Sequence, residues 1–253
     1  MSAPIAVQLY SLRDALAQDY TGVIRQVAEM GYKGVETAGF PGSTLEEANA
    51  LFMELGLTVP SAHLPLPIGL QRNDVLDTAQ TLGARYVVSG GVGMHRFATL
   101  DSVKEVCEDF NEANAAATAA RLRFAIHTHW WEFEPVEGQR PYQLMMELLD
   151  PSVVWEIDTY WVQTADLNPV AILRELGSRV PLLHIKDGPA LQNEPMLAVG
   201  QGIMDFETII PAHADHTEWL VVELDHCATD MLTAVAQSYR YLVEKGLAHG
   251  AKS

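Results

Sequence analysis

Apolar, β-branched runs recur about every 25–35 residues along the chain, and amphipathic stretches fill the gaps between them. The runs are IAVQLY (5–10), GVETA (34–38), TVPSAHL (58–64), RYVVSG (85–90), RFAIHTH (123–129), VVWEID (153–158), PLLHIKD (181–187) and WLVVELD (219–225). In the first gap Val23, Ile24, Val27 and Met30 share one helical face, and Gly31 supplies a stop. Thr44 to Glu47 has the form of a capping box opening a helix that ends near Gly56. Ser102 to Glu105 has the same form, at the start of an Ala-rich helix reaching about residue 120. Asn168 followed by Pro169 reads as an N-cap and first-turn proline, with a stop near Gly177. Residues 229–245 are the last predicted helix.

Strand–helix alternation repeated eight times predicts a parallel sheet, because each parallel crossover needs a helix. Eight repeats allow closure into a (β/α)₈ barrel with no free edge. The 253 residues are about the usual size of one such barrel, so a single domain over 1–253 is expected. An open sheet of the dinucleotide-binding type is disfavoured, because no G-x-G-x-x-G follows the first strand.

Composition narrows the partners. Apolar residues at 48% and charged residues at 19% are ordinary for a globular chain. Cys107 and Cys227 lack C-x-x-C spacing, which argues against a disulfide framework or a thiolate zinc site. The opening MSAPIAVQLYSLRD has no basic segment leading into a long apolar one, so no signal peptide is expected and a cytoplasmic location is the expectation. No run approaches a membrane span. A net charge of −17 repels phosphate backbones, which disfavours nucleic acid and mildly favours neutral sugars or polyols over phosphates.

Ionisable residues cluster at the C-terminal ends of the predicted strands. Strand five ends in His127 and His129, strand six in Asp158, strand seven runs through His184 to Lys186 and Asp187, and strand eight ends in Glu223 and Asp225. In a barrel these ends converge on one mouth, where catalytic residues sit. Singly, each has a plain structural explanation: Asp158 and Asp187 suit turn or helix caps, and His184 suits a core histidine. Glu223 resists that explanation, since it follows Leu220-Val-Val222 in a strand buried on both faces and its charge needs a partner. Imidazoles and carboxylates from successive strands suit a divalent ion, with Mn, Co, Mg, Fe and Zn all admissible. His127 and His129 face the same way on their strand, one suited to a metal and the other to substrate, and Glu132, which follows with Glu134 on the next loop, is close enough to compete as the strand-five ligand. Gln8, Tyr10, Glu36 and His63 lie late on strands one to three and are candidates for the other half of the pocket. Trp130, Trp131, Tyr160 and Trp161 are candidates to pack on sugar C–H surfaces or simply under loops. Val199-Gly-Gln-Gly202 has the outline of a phosphate loop, but a tight turn explains it as well.

Taken in order, QLYSLRD, SAH, HTHWWEF, EIDTYWV, HIKD, GQGIMDF and VVELD resemble the sugar phosphate isomerase/epimerase, or xylose isomerase-like TIM barrel, superfamily over essentially the whole chain. The resemblance implies a divalent metal on Asp158, His184 and Glu223, with His127 standing where similar proteins usually carry a ligand Glu. It implies a sugar, keto-sugar or inositol-type polyol as substrate, proton transfer next to a carbonyl, and a homo-oligomer. Glu223 would be both ligand and base, His129, Glu132 and Lys186 acid/base or substrate groups, and Gln8, Tyr10, His63, Trp131 and Trp161 substrate contacts. Trp161 stands where the epimerases carry His and Ala190 where they carry Arg, which argues against their two-carboxylate proton exchange. An isomerase, epimerase, lyase or dehydratase is expected. The alternatives are a metal-dependent phosphodiesterase of the apurinic-endonuclease type and a non-catalytic sugar-binding barrel.

Overall fold

In a computed structural model describing residues 2–90 and 92–251, the eight runs form parallel strands. These are β1 (Ala3–Gln8), β2 (Gly34–Glu36), β3 (Ser61–His63), β4 (Tyr86–Ser89), β5 (Arg123–His127), β6 (Val154–Asp158), β7 (Leu182–Ile185) and β8 (Trp219–Val222). Their pairing order is β2-β1-β8-β7-β6-β5-β4-β3. The two ends of that path meet through parallel bridges, Gly34 to Thr58 and Thr37 to Ala62. The sheet is therefore a nearly closed α/β TIM barrel, as the alternation predicts.

Helices fill the crossovers: α1 (Arg13–Leu16), α2 (Tyr20–Met30), α3 (Leu45–Leu55), α4 (Arg72–Thr81), α5 (Leu100–Ala119), α6 (Pro141–Leu148), α7 (Thr159–Thr164), α8 (Pro169–Leu176), α9 (Phe206–Ile209) and α10 (Met231–Glu244). The predicted punctuation largely holds. Gly31 ends α2 at φ 107°, Thr44 and Glu47 form a reciprocal capping box on α3, and Asn168 caps α8 ahead of Pro169. The cap of α5 is corrected. It lies at Thr99, whose extended backbone (φ −140°) lets its hydroxyl accept from Ser102 N while Ser102 Oγ accepts from Thr99 N. Ser102 is thus already inside the helix. The last helix is shorter than 229–245 because Asp230 caps it. A two-residue strand, β9 (Ala248–His249), follows and pairs with β1; it is too short to leave a periodic trace.

The strands also stop earlier than their apolar runs. After β1 the Gln8 side chain accepts from Tyr10 N, and residues 9–12 turn into a 3₁₀ helix. Tyr10 consequently leaves the strand and is 43% exposed.

Period-2 alternation divides the core. One set, with Val7, Val35, Phe124, Ile126, Trp155, Ile157, Leu183, Ile185, Leu220 and Val222, packs with the surrounding helices. The opposite set, with Tyr86, Val88, Ala125, Val154 and Leu182, forms a small separate plug with Trp219 inside the barrel. His127, Glu156, Asp158 and His184 share the parity of that plug. They stack above it toward the C-terminal ends of the strands, which fixes where a site can be. Among the described residues no helix is long and apolar enough to cross a membrane.

Candidate active site

A cavity of about 410 Å³ opens above the plug, lined by Tyr10, Ala38, His63, Gly90, His127, His129, Trp130, Trp131, Trp161, Lys186, Glu223 and Asp225. Gly90 belongs there for space, since a Cβ on it would come within 2.7 Å of His63 Nδ1. Two layers of ionisable groups make the floor.

In the outer layer Lys186 Nζ lies 3.1 Å from Asp158 Oδ2, 2.8 Å from Glu223 Oε2 and 3.0 Å from Asp225 Oδ2. His184 Nδ1 is 2.8 Å from Glu223 Oε2. Asp158 spends its other oxygen capping α7, accepting from Tyr160 N at 3.0 Å and Trp161 N at 3.1 Å. Asp158 therefore caps α7 with one oxygen and turns the other to the Lys186 ammonium at the cavity floor.

In the inner layer Glu36 is fully buried and accepts from Gln8 Nε2 at 2.7 Å and from Ser61 Oγ, with His184 Nε2 at 2.7 Å. Glu156, also fully buried, places Oε2 2.7 Å from His63 Nε2, 3.1 Å from His127 Nδ1 and 3.1 Å from His184 Nε2.

These contacts set the charges. Burial opposes ionisation of Glu36, but His63 and His184 beside it hold its carboxyl well below the usual range. Burial likewise opposes a charge on His63, yet Glu36 and Glu156 push it up to about 10. His184 is driven well above the ordinary histidine range by Glu156, Glu36 and Glu223, which outweigh its burial. Burial and the neighbouring His184 keep His127 low, hence neutral. Burial and Glu36 raise Glu156, whereas Lys186 and His184 hold Glu223 down against its burial. Lys186 stays charged because Asp158, Asp225 and Glu223 outweigh its desolvation.

Of the residues singled out in the sequence, His127, Asp158, His184 and Glu223 present donor atoms that all lie within 4.8 Å of one another. His63, His129, Trp131, Trp161, Tyr10 and Lys186 line the cavity around them. Two candidates are turned elsewhere. Gln8 is fully buried and grips Glu36, beneath the open pocket. Glu132 is also buried, and its Oε2 accepts from His129 N at 2.8 Å, so it fastens the loop after β5 and stays outside the donor cluster. Asp187 is wholly structural: its two oxygens accept from the backbone N–H groups of Gly188, Gly200, Gly202 and Met204. The loop at 199–202 thus wraps this chain's own carboxylate, and a Cβ on Gly202 would collide with it.

Glu156 is the principal residue missed from the sequence. The signal was present, because it stands two before Asp158, on the same face, in a strand buried on both sides; the argument applied to Glu223 holds for it equally. A divalent ion fits the donors that are present: imidazole and carboxylate together, with Glu156 Oε1 buried and without a hydrogen-bond partner.

Among solved structures the chain is similar to a sugar phosphate isomerase/epimerase from Parabacteroides distasonis (TM-score 0.82, 22% identity, 98% of this chain and 96% of that one). It is also similar to a probable 3-DHS dehydratase from Bacillus anthracis (0.76, 14%, 95% and 98%). A third is D-psicose 3-epimerase from Clostridium cellulolyticum H10 (0.71, 16%, 98% and 100%). At these identities the likeness is one of fold. Comparison with curated proteins gives no match. The family model of the xylose isomerase-like TIM barrel matches residues 24–244. With that match over most of its length, and with the ionisable mouth of its barrel, the chain belongs to the xylose isomerase-like TIM barrel family.

Proposed function

We propose that the protein is a divalent-metal-dependent isomerase or epimerase, or a related lyase or dehydratase, acting on a sugar, keto-sugar or inositol-type polyol. The observation that carries this reading is the convergence of His127, Asp158, His184 and Glu223 on the floor of a cavity walled by three tryptophans. A bound divalent ion would supply Lewis-acid polarisation of a carbonyl and its neighbouring hydroxyl. The chain's own groups do the rest. Glu223, held ionised by Lys186 and His184, takes the proton α to the carbonyl. The Lys186 ammonium, fixed among Asp158, Glu223 and Asp225, faces the negative charge that develops on oxygen. His129 lines the same cavity and can return a proton from the β5 side. Trp130, Trp131 and Trp161 offer apolar faces to a sugar ring and exclude water.

A phosphodiesterase is poorly supported. Lys186 is tied to three carboxylates, and the loop that outlines a phosphate cradle is filled by Asp187. The test is incubation of the metal-loaded protein with keto-sugars and inosose in D₂O. Deuterium should enter the carbon next to the carbonyl, and Glu223→Gln should slow that by about 10²–10⁴-fold while the thermal melt changes little. Full exchange by Glu223→Gln would refute the assignment.

A further inference from the structure

Away from the mouth, the N-terminal end of the barrel carries the opposite charge. Acidic residues outnumber basic ones 33 to 16 along the chain. Yet a cavity of about 520 Å³ at the starts of β5 and β6 is edged by Arg121, Arg123 and Arg179, with Asn114, Thr118 and Ser178. Among the described residues no carboxylate lines it. Arg123 is the first residue of β5, and His127 of the mouth is the last.

Each guanidinium keeps donors to spare out of its five N–H groups. Arg179 gives Nε to Val153 O at 3.1 Å, Nη2 to Asp150 O at 3.3 Å and Nη1 to Met146 Sδ at 3.6 Å. Those three bonds fix its plane and leave two N–H groups over. Arg123 engages only Nη1, toward Tyr86 Oη at 2.8 Å and Glu218 Oε1 at 3.4 Å. Arg121 engages only its backbone N–H, to Thr118 O at 3.0 Å, and its guanidinium has no partner among the described residues. The nearby carboxylates are already committed. Glu218 is shared between Arg123 and Arg85, and Asp150 Oδ1 accepts from Ser152 N and Oγ.

The C-terminal dipole of α5 accounts for one cation at this end, but not for three around one cavity. Arg121 moreover stands at φ 62°, a left-handed turn that glycine fills without strain. The turn itself, closed by Leu122 N on Ala117 O at 2.9 Å, therefore makes no use of the side chain.

We propose that this cavity binds a small tetrahedral oxyanion, phosphate or a phosphate monoester, through the spare N–H groups of Arg121, Arg123 and Arg179. Planar guanidinium forks match two oxygens of such an ion at once, and the hydroxyls of Thr118 and Ser178 add donors at the rim. The acidic surface elsewhere does not forbid it, because salt screens exposed charges beyond about 8 Å. The site is independent of the metal centre and of the reaction at the mouth.

The experiment is calorimetric titration of the chelator-stripped full chain with inorganic phosphate and with glycerol phosphate, in chloride buffer. One saturable equivalent is expected. Arg121→Gly should weaken it at least about tenfold while the melting temperature holds or rises, since the turn loses its strain. Arg123→Gln should weaken it similarly, and Asp158→Asn at the mouth should leave it unchanged. Tighter binding of glycerol phosphate marks a monoester as the ligand, and equal binding marks the free ion; either supports the site. Absence of saturable binding, or binding that survives both Arg121→Gly and Arg123→Gln, overturns it and leaves the arginines as caps of the barrel end.

Discussion

The ends of β6 and β7 look alike in sequence and do different work. Each carries an Asp at the C-terminal end of a buried strand, before a turn or helix: Asp158-Thr159 and Asp187-Gly188. Both are fully buried, and both accept backbone N–H groups. Asp187 gives both oxygens to the backbone, two donors to each, and holds the 188–204 loop as a filled nest. Asp158 gives one oxygen to α7 and turns the other to Lys186 beside His184 and Glu223. A capping role and a site role are therefore compatible, and they are separated by what the second oxygen meets.

That contrast can be broken from either side. Asp187→Ala should have the largest effect, because it strands four backbone donors, with those of Gly188 and Met204 in buried bonds. A loss of about 3–5 kcal/mol of stability is expected in chemical denaturation. A change under about 1 kcal/mol would show that the nest is not what holds the loop.

Asp158→Asn should do the opposite. The amide carbonyl keeps the α7 cap, so the melt should move little. The anionic donor beside Lys186 is gone, so divalent-ion affinity measured calorimetrically should fall at least about tenfold, or about 1.4 kcal/mol. Unchanged affinity together with a collapsed fold would make Asp158 a second Asp187.

Thr99→Ala supplies the baseline: an exposed cap of α5 with no second role. It should cost about 1 kcal/mol in stability and leave metal affinity untouched.

The eight strands and most helix boundaries were legible because burial and capping are local signals. Alternating residues choose a face, Gly31 stops a helix, and Thr44 with Glu47 starts one. The outer donors were legible for a related reason. A charge at the end of a strand buried on both faces, such as Glu223, must be answered by something. The inner layer is less legible, although Glu36 and His63 fall late on their strands. Glu156 shares the parity of Asp158 but lies one pleat deeper, away from the strand end where site residues are expected. Likewise Glu132 looked close enough in sequence to compete for the site, but its carboxylate is captured by the His129 backbone N–H.

By itself, then, the sequence determined the barrel, the face of each strand and the identity of most ionisable groups at its mouth. Periodicity and buried charge are properties of a segment and its immediate neighbours. Only the tertiary structure decided how those groups partition. Glu36 meets His184 across 148 residues of chain, Asp187 closes on Gly200 and Gly202, and Lys186 occupies the outer carboxylates. Strand register and barrel closure set those distances, and no segment carries them alone.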